Sequence, residues 1–266
     1  MPEVAETRLT VDFLNRSLEN KKITEWVFTG GGYTDENPEG YDEFDISLPL
    51  TVVEVDSKGK FIYFTLIDDD ENEYYILHSL RMTGRWQKMH DEYCKWFVEI
   101  DNGQTLWFRD PRSFATVKFT TNREELDEKL NSLGPDIMKP EFTLPIFKTL
   151  AKKYSTRNIC SFLMDQTIIS GCGNYIKAES LYDAKISPLR KIGNLSENEI
   201  ELLYQALTVI PRIAYNKSGV SLRDYADENG RKGSSEGFLK VYGNVLAKRT
   251  KTPDGRNTYW FPDKQK

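Results

Sequence analysis

Residues 158–188 read NICSFLMDQTIISGCGNYIKAESLYDAKISP. The spacing predicts two helices, over 158–165 and 177–184, parted by Ser170-Gly171-Cys172-Gly173-Asn174. A helix beginning just after Gly173-Asn174 would present backbone N–H groups that have no acceptor within the helix. That geometry cradles a phosphate. The glycines alone would signify only a helical hairpin with a tight turn; the run as a whole is more specific.

Downstream, Ser196-x-x-Glu199 has the form of a capping box ahead of Ile200, Leu203, Leu207 and Ile210, which recur at helical spacing. Phe238–Phe261 returns to strand chemistry with Pro253-Asp254-Gly255 inside it, which predicts a terminal hairpin. This hairpin carries Lys248, Arg249, Lys251 and Arg256, the last followed by Asn257-Thr258-Tyr259-Trp260. Such cations and aromatics grip a phosphate backbone or form a solvated basic tail.

Upstream, a helix over Glu6–Leu18 places Val4, Val11, Leu14 and Leu18 on one side. Strand-forming runs follow at Ile23–Thr29, Ile46–Val55, Lys60–Ile67, Glu73–His78, Lys95–Ile100, Thr105–Phe108 and Phe114–Phe119. The acidic segment Tyr33–Asp45 reads as a solvated loop. A boundary falls near Asn131–Phe142, where Ser-Leu-Gly-Pro-Asp resists both helix and strand.

The 266 residues, 39% hydrophobic and 29% charged, have the composition of a soluble globular protein of about two domains. No apolar run approaches the ~18 residues of a membrane span. Met1-Pro2-Glu3-Val4-Ala5-Glu6 has neither the basic segment nor the apolar core of a secretory signal. Cys94, Cys160 and Cys172 form no CxxC pair, which points to a reducing, intracellular setting, cytoplasmic or nuclear, and away from structural zinc. The net charge of −5 argues mildly against nucleic acid, but it is an uneven sum. Residues 1–150 hold 17 basic against 29 acidic residues, a balance of −12, and residues 151–266 hold 19 against 12, a balance of +7. Fields act over about a Debye length, so the local balance is the better guide.

Loss of Met1 would leave Pro2 with a free secondary amine. An α-amino group titrates at about 7.7–8.0, against about 10.4 for Lys, so a useful fraction is unprotonated near neutrality. Such an amine attacks an aldehyde carbon and forms an iminium, with Glu3 and Glu6 at hand as acid/base groups. Met-Pro starts are common, and alone they carry no function. Met82, in Leu80-Arg81-Met82-Thr83-Gly84, and Arg112 and Phe114, in Asp110-Pro111-Arg112-Ser113-Phe114, fall in turns from which they could fill a gap in a base stack. The plainer reading packs Met82 and Phe114 in the core and leaves Arg112 in a surface ion pair. His78 reads as a strand residue, and with His90 it is too little for a metal cluster, so neither metal nor cofactor is expected.

Together these stretches resemble the formamidopyrimidine-DNA glycosylase/endonuclease VIII family. The start is similar to its Met-Pro-Glu-x-Pro-Glu signature, and Ser57-Lys58-Gly59-Lys60-Phe61 to the segment of its strand lysine. Met82-Thr83-Gly84 and Asp110-Pro111-Arg112-x-Phe114 resemble its void-filling loops. Leu133-Gly134-Pro135-Asp136 resembles its inter-domain segment. Asp165-Gln166 through Gly171-x-Gly173-Asn174-Tyr175, Glu179, Leu181 and Ile186-x-Pro188 resemble its helix-two-turn-helix element. Most members end in a four-cysteine zinc finger. Here no cysteine follows Cys172, while Val241-Tyr242-Gly243 and Gly255-Arg256-Asn257-Thr258-Tyr259-Trp260 resemble the zincless-finger branch, whose hairpin must rest on packing, for instance of Trp260, Phe261 and Tyr242. Ala5 replaces the second proline, Arg81 a glycine before the intercalating loop, and Asn244 a basic residue after Tyr-Gly.

The resemblance implies an α+β fold. Residues 1–132 would form a catalytic β-sandwich domain with an N-terminal helix, 133–142 a linker, and 143–266 a helix-two-turn-helix domain with a zincless hairpin at about 238–263. It implies a monomeric bifunctional DNA glycosylase/AP lyase acting on double-stranded DNA with oxidised bases or abasic sites, without cofactor or membrane. Pro2, Glu3 and Lys60 would be catalytic. Lys60, Asn174 and Arg256 would hold phosphates, Glu6 would contact the flipped base, and Met82, Arg112 and Phe114 would fill the void. The acidic excess of the first half would lie away from DNA, as on Tyr33–Asp45. The resemblance of Ser218–Gly237 to the 8-oxoguanine-capping loop favours oxidised purines, including ring-opened ones; the zincless finger favours oxidised pyrimidines and hydantoins. A non-catalytic damaged-DNA-binding protein on the same scaffold is the alternative. A small-carbonyl enzyme using the same amine would leave the arginine hairpin unexplained.

Overall fold

A computed structural model describes residues 2–220 and 238–266. They divide into two units, residues 2–131 with 218–220, and residues 132–217 with 238–266.

The first unit opens with α1 (Val4–Leu18), which starts ahead of the predicted Glu6 because Glu3 caps it and the Glu6 carboxylate accepts from the Glu3 N–H. Val11, Leu14 and Leu18 turn one face of α1 into the core. The strands are β1 (Lys22–Phe28), β2 (Leu50–Lys58), β3 (Phe61–Ile67), β4 (Glu73–Ser79), β5 (Arg85–Gln87), β6 (Cys94–Ile100), β7 (Thr105–Arg109) and β8 (Thr116–Thr120). They pair antiparallel in the order β5-β7-β6-β1-β2-β3-β4-β8. Trp26 of β1 nevertheless meets Trp86 of β5 at 5.8 Å and Phe119 of β8 at 5.3 Å, edge to face. Strands from opposite ends of one sheet meet only if the sheet curls on itself, so it forms a sandwich around an aromatic core.

The acidic segment departs from the predicted loop. It forms a 3-10 turn (Gly31–Thr34) and α2 (Tyr41–Ile46), which claims the start of the predicted Ile46–Val55 strand. Its carboxylates face solvent, but Phe44 is buried against Phe119 at 4.5 Å, and Tyr41 Oη donates to the Trp26 carbonyl at 2.5 Å. Aromatics spaced among acids anchor the segment, a pattern that charge counting hides. Helix α3 (Arg123–Asn131), which was not predicted, buries only Leu126 and so leaves little apolar periodicity to read.

In the second unit, residues 132–143 form neither helix nor strand, yet Ile137 and Phe142 are buried. There follow α4 (Leu144–Lys153), unpredicted, then α5 (Ile159–Met164), α6 (Asn174–Asp183) and α7 (Glu197–Asn216). The capping box at Ser196 and Glu199 opens α7 as predicted, and the helix continues through Pro211. The predicted strand region Phe238–Phe261 contains only β9 (Lys248–Lys251) and β10 (Asn257–Trp260), paired as an antiparallel hairpin. Residues 238–247 form turns instead: the Lys240, Val241 and Tyr242 N–H groups go to one side chain, and those of Asn244 and Ala247 to carbonyls within the turns. The Glu179 carboxylate accepts from Lys240, Val241 and Tyr242 at 2.8, 2.9 and 2.6 Å. Among the described residues, no helix is long and apolar enough to cross a membrane.

Candidate functional site

Pro2 is buried at the head of α1, and Glu3 and Glu6 beside it are 2% and 0% exposed. Glu6 uses both oxygens on backbone of its own unit. Oε2 accepts from the Glu3 N–H at 2.9 Å and Oε1 from the Val220 N–H at 3.0 Å. Burial pushes the Glu6 carboxyl above the usual carboxylate range, against the downward pull of those two donors. Pro2, the N-terminus of α1 and two buried carboxyls able to carry protons are thus gathered in one place.

The turns of the first unit present the other predicted residues. Lys60 is not on a strand, as its family segment implied. It is the second residue of the two-residue turn Gly59-Lys60 joining β2 to β3, with Gly59 at φ +60°, the left-handed shape such hairpins require. Met82 is half-buried, while Phe114 is 52% exposed and Arg112 is exposed, its guanidinium 4.9 Å from the Phe114 ring centre. Phe114 therefore lies outside the core, against the plainer reading. One buried carboxylate ties these turns together. Asp110 accepts from the N–H of Phe114 at 2.7 Å, Ala115 at 2.8 Å and Arg112 at 3.3 Å, and from the hydroxyl of Thr83, next to Met82. Sequence reasoning gave Asp110 no role; its only signal was an Asp opening a Pro turn.

In the second unit, Gln166 braces the glycine break. Its amide donates to the Cys172 carbonyl at 2.9 Å and accepts from the Gly171 N–H at 3.0 Å. Gly171 takes φ +98°, and Gly173 caps α6, so the helix begins at Asn174, at the break where a helix N-terminus was expected and ahead of the 177–184 span read from spacing. Asn174 reaches the hairpin, its Nδ2 donating to the Asn257 carbonyl at 3.2 Å. Asn174 and the segment after the exposed Arg256 are thus brought together.

A model of the formamidopyrimidine-DNA glycosylase N-terminal domain matches residues 1–117, and one of that glycosylase's H2TH domain matches residues 133–224. The chain belongs to the formamidopyrimidine-DNA glycosylase family. It is 32% identical over 284 residues to the formamidopyrimidine-DNA glycosylase of Carboxydothermus hydrogenoformans, covering 100% of both chains. It is 34% identical over 252 residues to that of Xanthomonas campestris pv. campestris, covering 91% of this chain and 89% of that one. The fold is similar to that of MutM (Fpg) from Thermus thermophilus, with TM-score 0.84, 26% identity, and 99% and 98% of the two chains covered. Lactococcus lactis Fpg in complex with abasic-site DNA is similar at TM-score 0.84 and 25% identity, over 100% of both chains.

The departures from the family pattern are absorbed locally. Ala5 is fully buried in the first turn of α1, where helix propensity favours it. Arg81 holds φ +53°, the left-handed region where glycine is at ease, so the loop keeps a glycine-like shape with an arginine in it. Asn244 closes a turn, donating to the Lys240 carbonyl at 3.1 Å and accepting from the Leu246 N–H at 2.9 Å. The hairpin packs on α6 through Tyr242 and Tyr259, 5.2 Å apart, and Phe261 against Tyr182 at 5.9 Å. Trp260 is buried and donates to Thr250 at 2.9 Å.

His78 is structural: its Nδ1 lies 2.9 Å from the Thr116 carbonyl, its Nε2 accepts from Trp86, and burial pulls it down to about 4. Among the described residues no group of three or more His, Cys, Asp or Glu is arranged to hold a metal. Of the capping-loop stretch Ser218–Gly237, residues 221–237 lie outside the described residues.

Proposed function

We propose that this chain is a bifunctional DNA glycosylase/AP lyase acting on oxidised bases and abasic sites in double-stranded DNA. The observation that carries the reading is the burial of Pro2 at the head of α1, next to the buried Glu3 and close in sequence to the buried Glu6. With Met1 removed, the Pro2 nitrogen attacks deoxyribose C1′ and the damaged base leaves with the electrons of its glycosidic bond and takes up a proton. Glu3 assists ring opening and proton transfer, giving an iminium. The iminium acidifies the 2′-proton. Its loss expels the 3′-phosphate by β-elimination, and a second elimination expels the 5′-phosphate.

The base must leave the stack to be reached. The exposed Arg112 and Phe114, with Met82, suit the vacated space, being held on turns that a single carboxylate organises. Lys60 in its turn, Asn174 at the start of α6 and Arg256 at the hairpin tip bind phosphates flanking the lesion. The occupied oxygens of Glu6 favour a role in holding the 218–220 segment and passing protons, so contact with the flipped base requires Glu6 to exchange a backbone partner.

Borohydride should trap a covalent complex between the untagged, Met1-processed protein and abasic-site duplex DNA. Pro2→Gly should weaken trapping, and an N-terminal extension should abolish it. Lesion binding without any trapped species would overturn the catalytic reading in favour of a binding module. A cleavage panel of 8-oxoguanine, formamidopyrimidine, thymine glycol and hydantoin duplexes assigns the substrate.

A further inference from the structure

The hairpin meets α6 through a contact that apolar packing does not explain. Lys177, the fourth residue of α6, is 0% exposed at its side chain, and its ammonium lies 2.5 Å from a carboxylate oxygen of Asp254, whose side chain is 2% exposed, in the β9–β10 turn. A lysine that far inside a protein is tolerated only when paired, so the contact fixes where the turn can sit on α6. Hydrogen bonds lead from this pair toward Arg256. Thr252 donates its hydroxyl to Asp254, its N–H donates to the Arg256 carbonyl at 2.9 Å, and its oxygen lies 2.8 Å from the Thr258 hydroxyl. On the helix side, Asn174, three residues before Lys177, donates to the Asn257 carbonyl. Arg256 is therefore bracketed by residues fastened to one helix, within a turn that carries Gly255 at φ +78°.

We propose that Lys177 and Asp254 are a positioning pair that does for this hairpin what a bound metal does in a zinc finger: it fixes the tip so that Arg256 and Asn174 meet adjacent phosphates in one register. Neither residue touches DNA in this assignment. The claim rests on the reading of Arg256 as a phosphate ligand, and the test separates the two.

The probe is a duplex carrying a tetrahydrofuran abasic analogue, with affinity measured against salt concentration for the full chain. Wild-type binding with Arg256→Ala lowering the salt slope by about one sets the baseline for a single lost phosphate contact. If wild type fails to bind, or Arg256→Ala leaves the slope unchanged, the phosphate reading of Arg256 fails first, and the positioning role falls with it. Given the baseline, Lys177→Met and Asp254→Asn should each reproduce most of the Arg256→Ala loss in slope and affinity. Neither should add to it in the Arg256→Ala background, and Lys177→Arg should restore part of it. Because one charge left unpaired could unfold the unit, Lys177→Met/Asp254→Leu, which removes both charges, is the companion variant. It should fold by circular dichroism and still bind with the reduced slope. A wild-type slope in that folded double variant, or losses fully additive with Arg256→Ala, would overturn the proposal.

Discussion

Asp110 carries more of the first unit's functional geometry than any residue singled out for contact with DNA. Its carboxylate accepts from the Phe114 and Ala115 N–H groups and the Thr83 hydroxyl, so one side chain sets the shape of both turns that present Met82, Arg112 and Phe114. Removing it strands buried donors, each costing about 1–3 kcal/mol. Asp110→Ala should lower unfolding free energy by ~2–4 kcal/mol in urea titrations. It should also slow excision from duplex DNA more than cleavage at a preformed abasic site, because a base already lost needs less help in leaving the stack. Equal slowing of both reactions would contradict the assignment. Pro2, Glu3, Arg112 and Phe114 were legible in the sequence as candidates. Asp110 was not, because an Asp before Pro reads as a turn former, and only the fold shows four donors converging on it.

Elements are fixed by close backbone approaches as much as by helix and strand preference. Gly134 lies in a segment with no regular structure, yet its N–H donates to the Gln166 carbonyl at 2.9 Å, and a Cβ there would lie 2.3 Å from the Ile168 carbonyl. Gly134→Ala must push two chain segments apart beside the glycine break that starts α6. It should cost about 2–3 kcal/mol by the usual scale of overpacking, read as a lowered Tm. Gly32→Ala, whose Cβ would meet nothing within 4 Å, is the matched control and should change little. The helices flanking the break were legible from apolar spacing. The helix start at the Gly173-Asn174 break was legible too; the bracing of that turn by Gln166, through Gly171 and Cys172, was not. Residues 240–242 likewise have strand composition but are held in a turn by Glu179.

For the whole molecule, pH dependence follows from buried titrating groups with opposite signs. His78 titrates in the folded protein at about 4, below its ordinary 6.5, because burial opposes its charge. Between those values the unfolded chain takes up a proton that the folded chain refuses. Its contribution, about 3 kcal/mol at most, is therefore complete above pH ~6.5 and is lost as pH falls toward 4. Glu6 and Glu179 are raised by burial, so their contribution is present below 4.5 and is lost as pH rises through their folded values. Those carboxyls oppose His78 between pH 5 and pH 7, so its part is read by comparison: in urea unfolding the stability difference between wild type and His78→Gln should be smaller at pH 5 than at pH 7. Proton NMR should find the His78 ring neutral throughout that range. A folded-state His78 titrating above pH 6 would contradict this account.

The sequence alone determined the family and, through it, the helix-two-turn-helix and the terminal hairpin, because glycines, caps and apolar spacing act over a few residues. It also marked Pro2 and Arg256 as candidates, since the chemistry proposed for them resides in their own atoms. Only the tertiary structure decided which carboxylate organises the turns, that the acidic segment is pinned by Phe44 and Tyr41, and that Lys177 is buried against Asp254. Residues 77 positions apart make that last contact. Burial and pairing at such separations depend on where the whole chain runs, which local pattern does not encode.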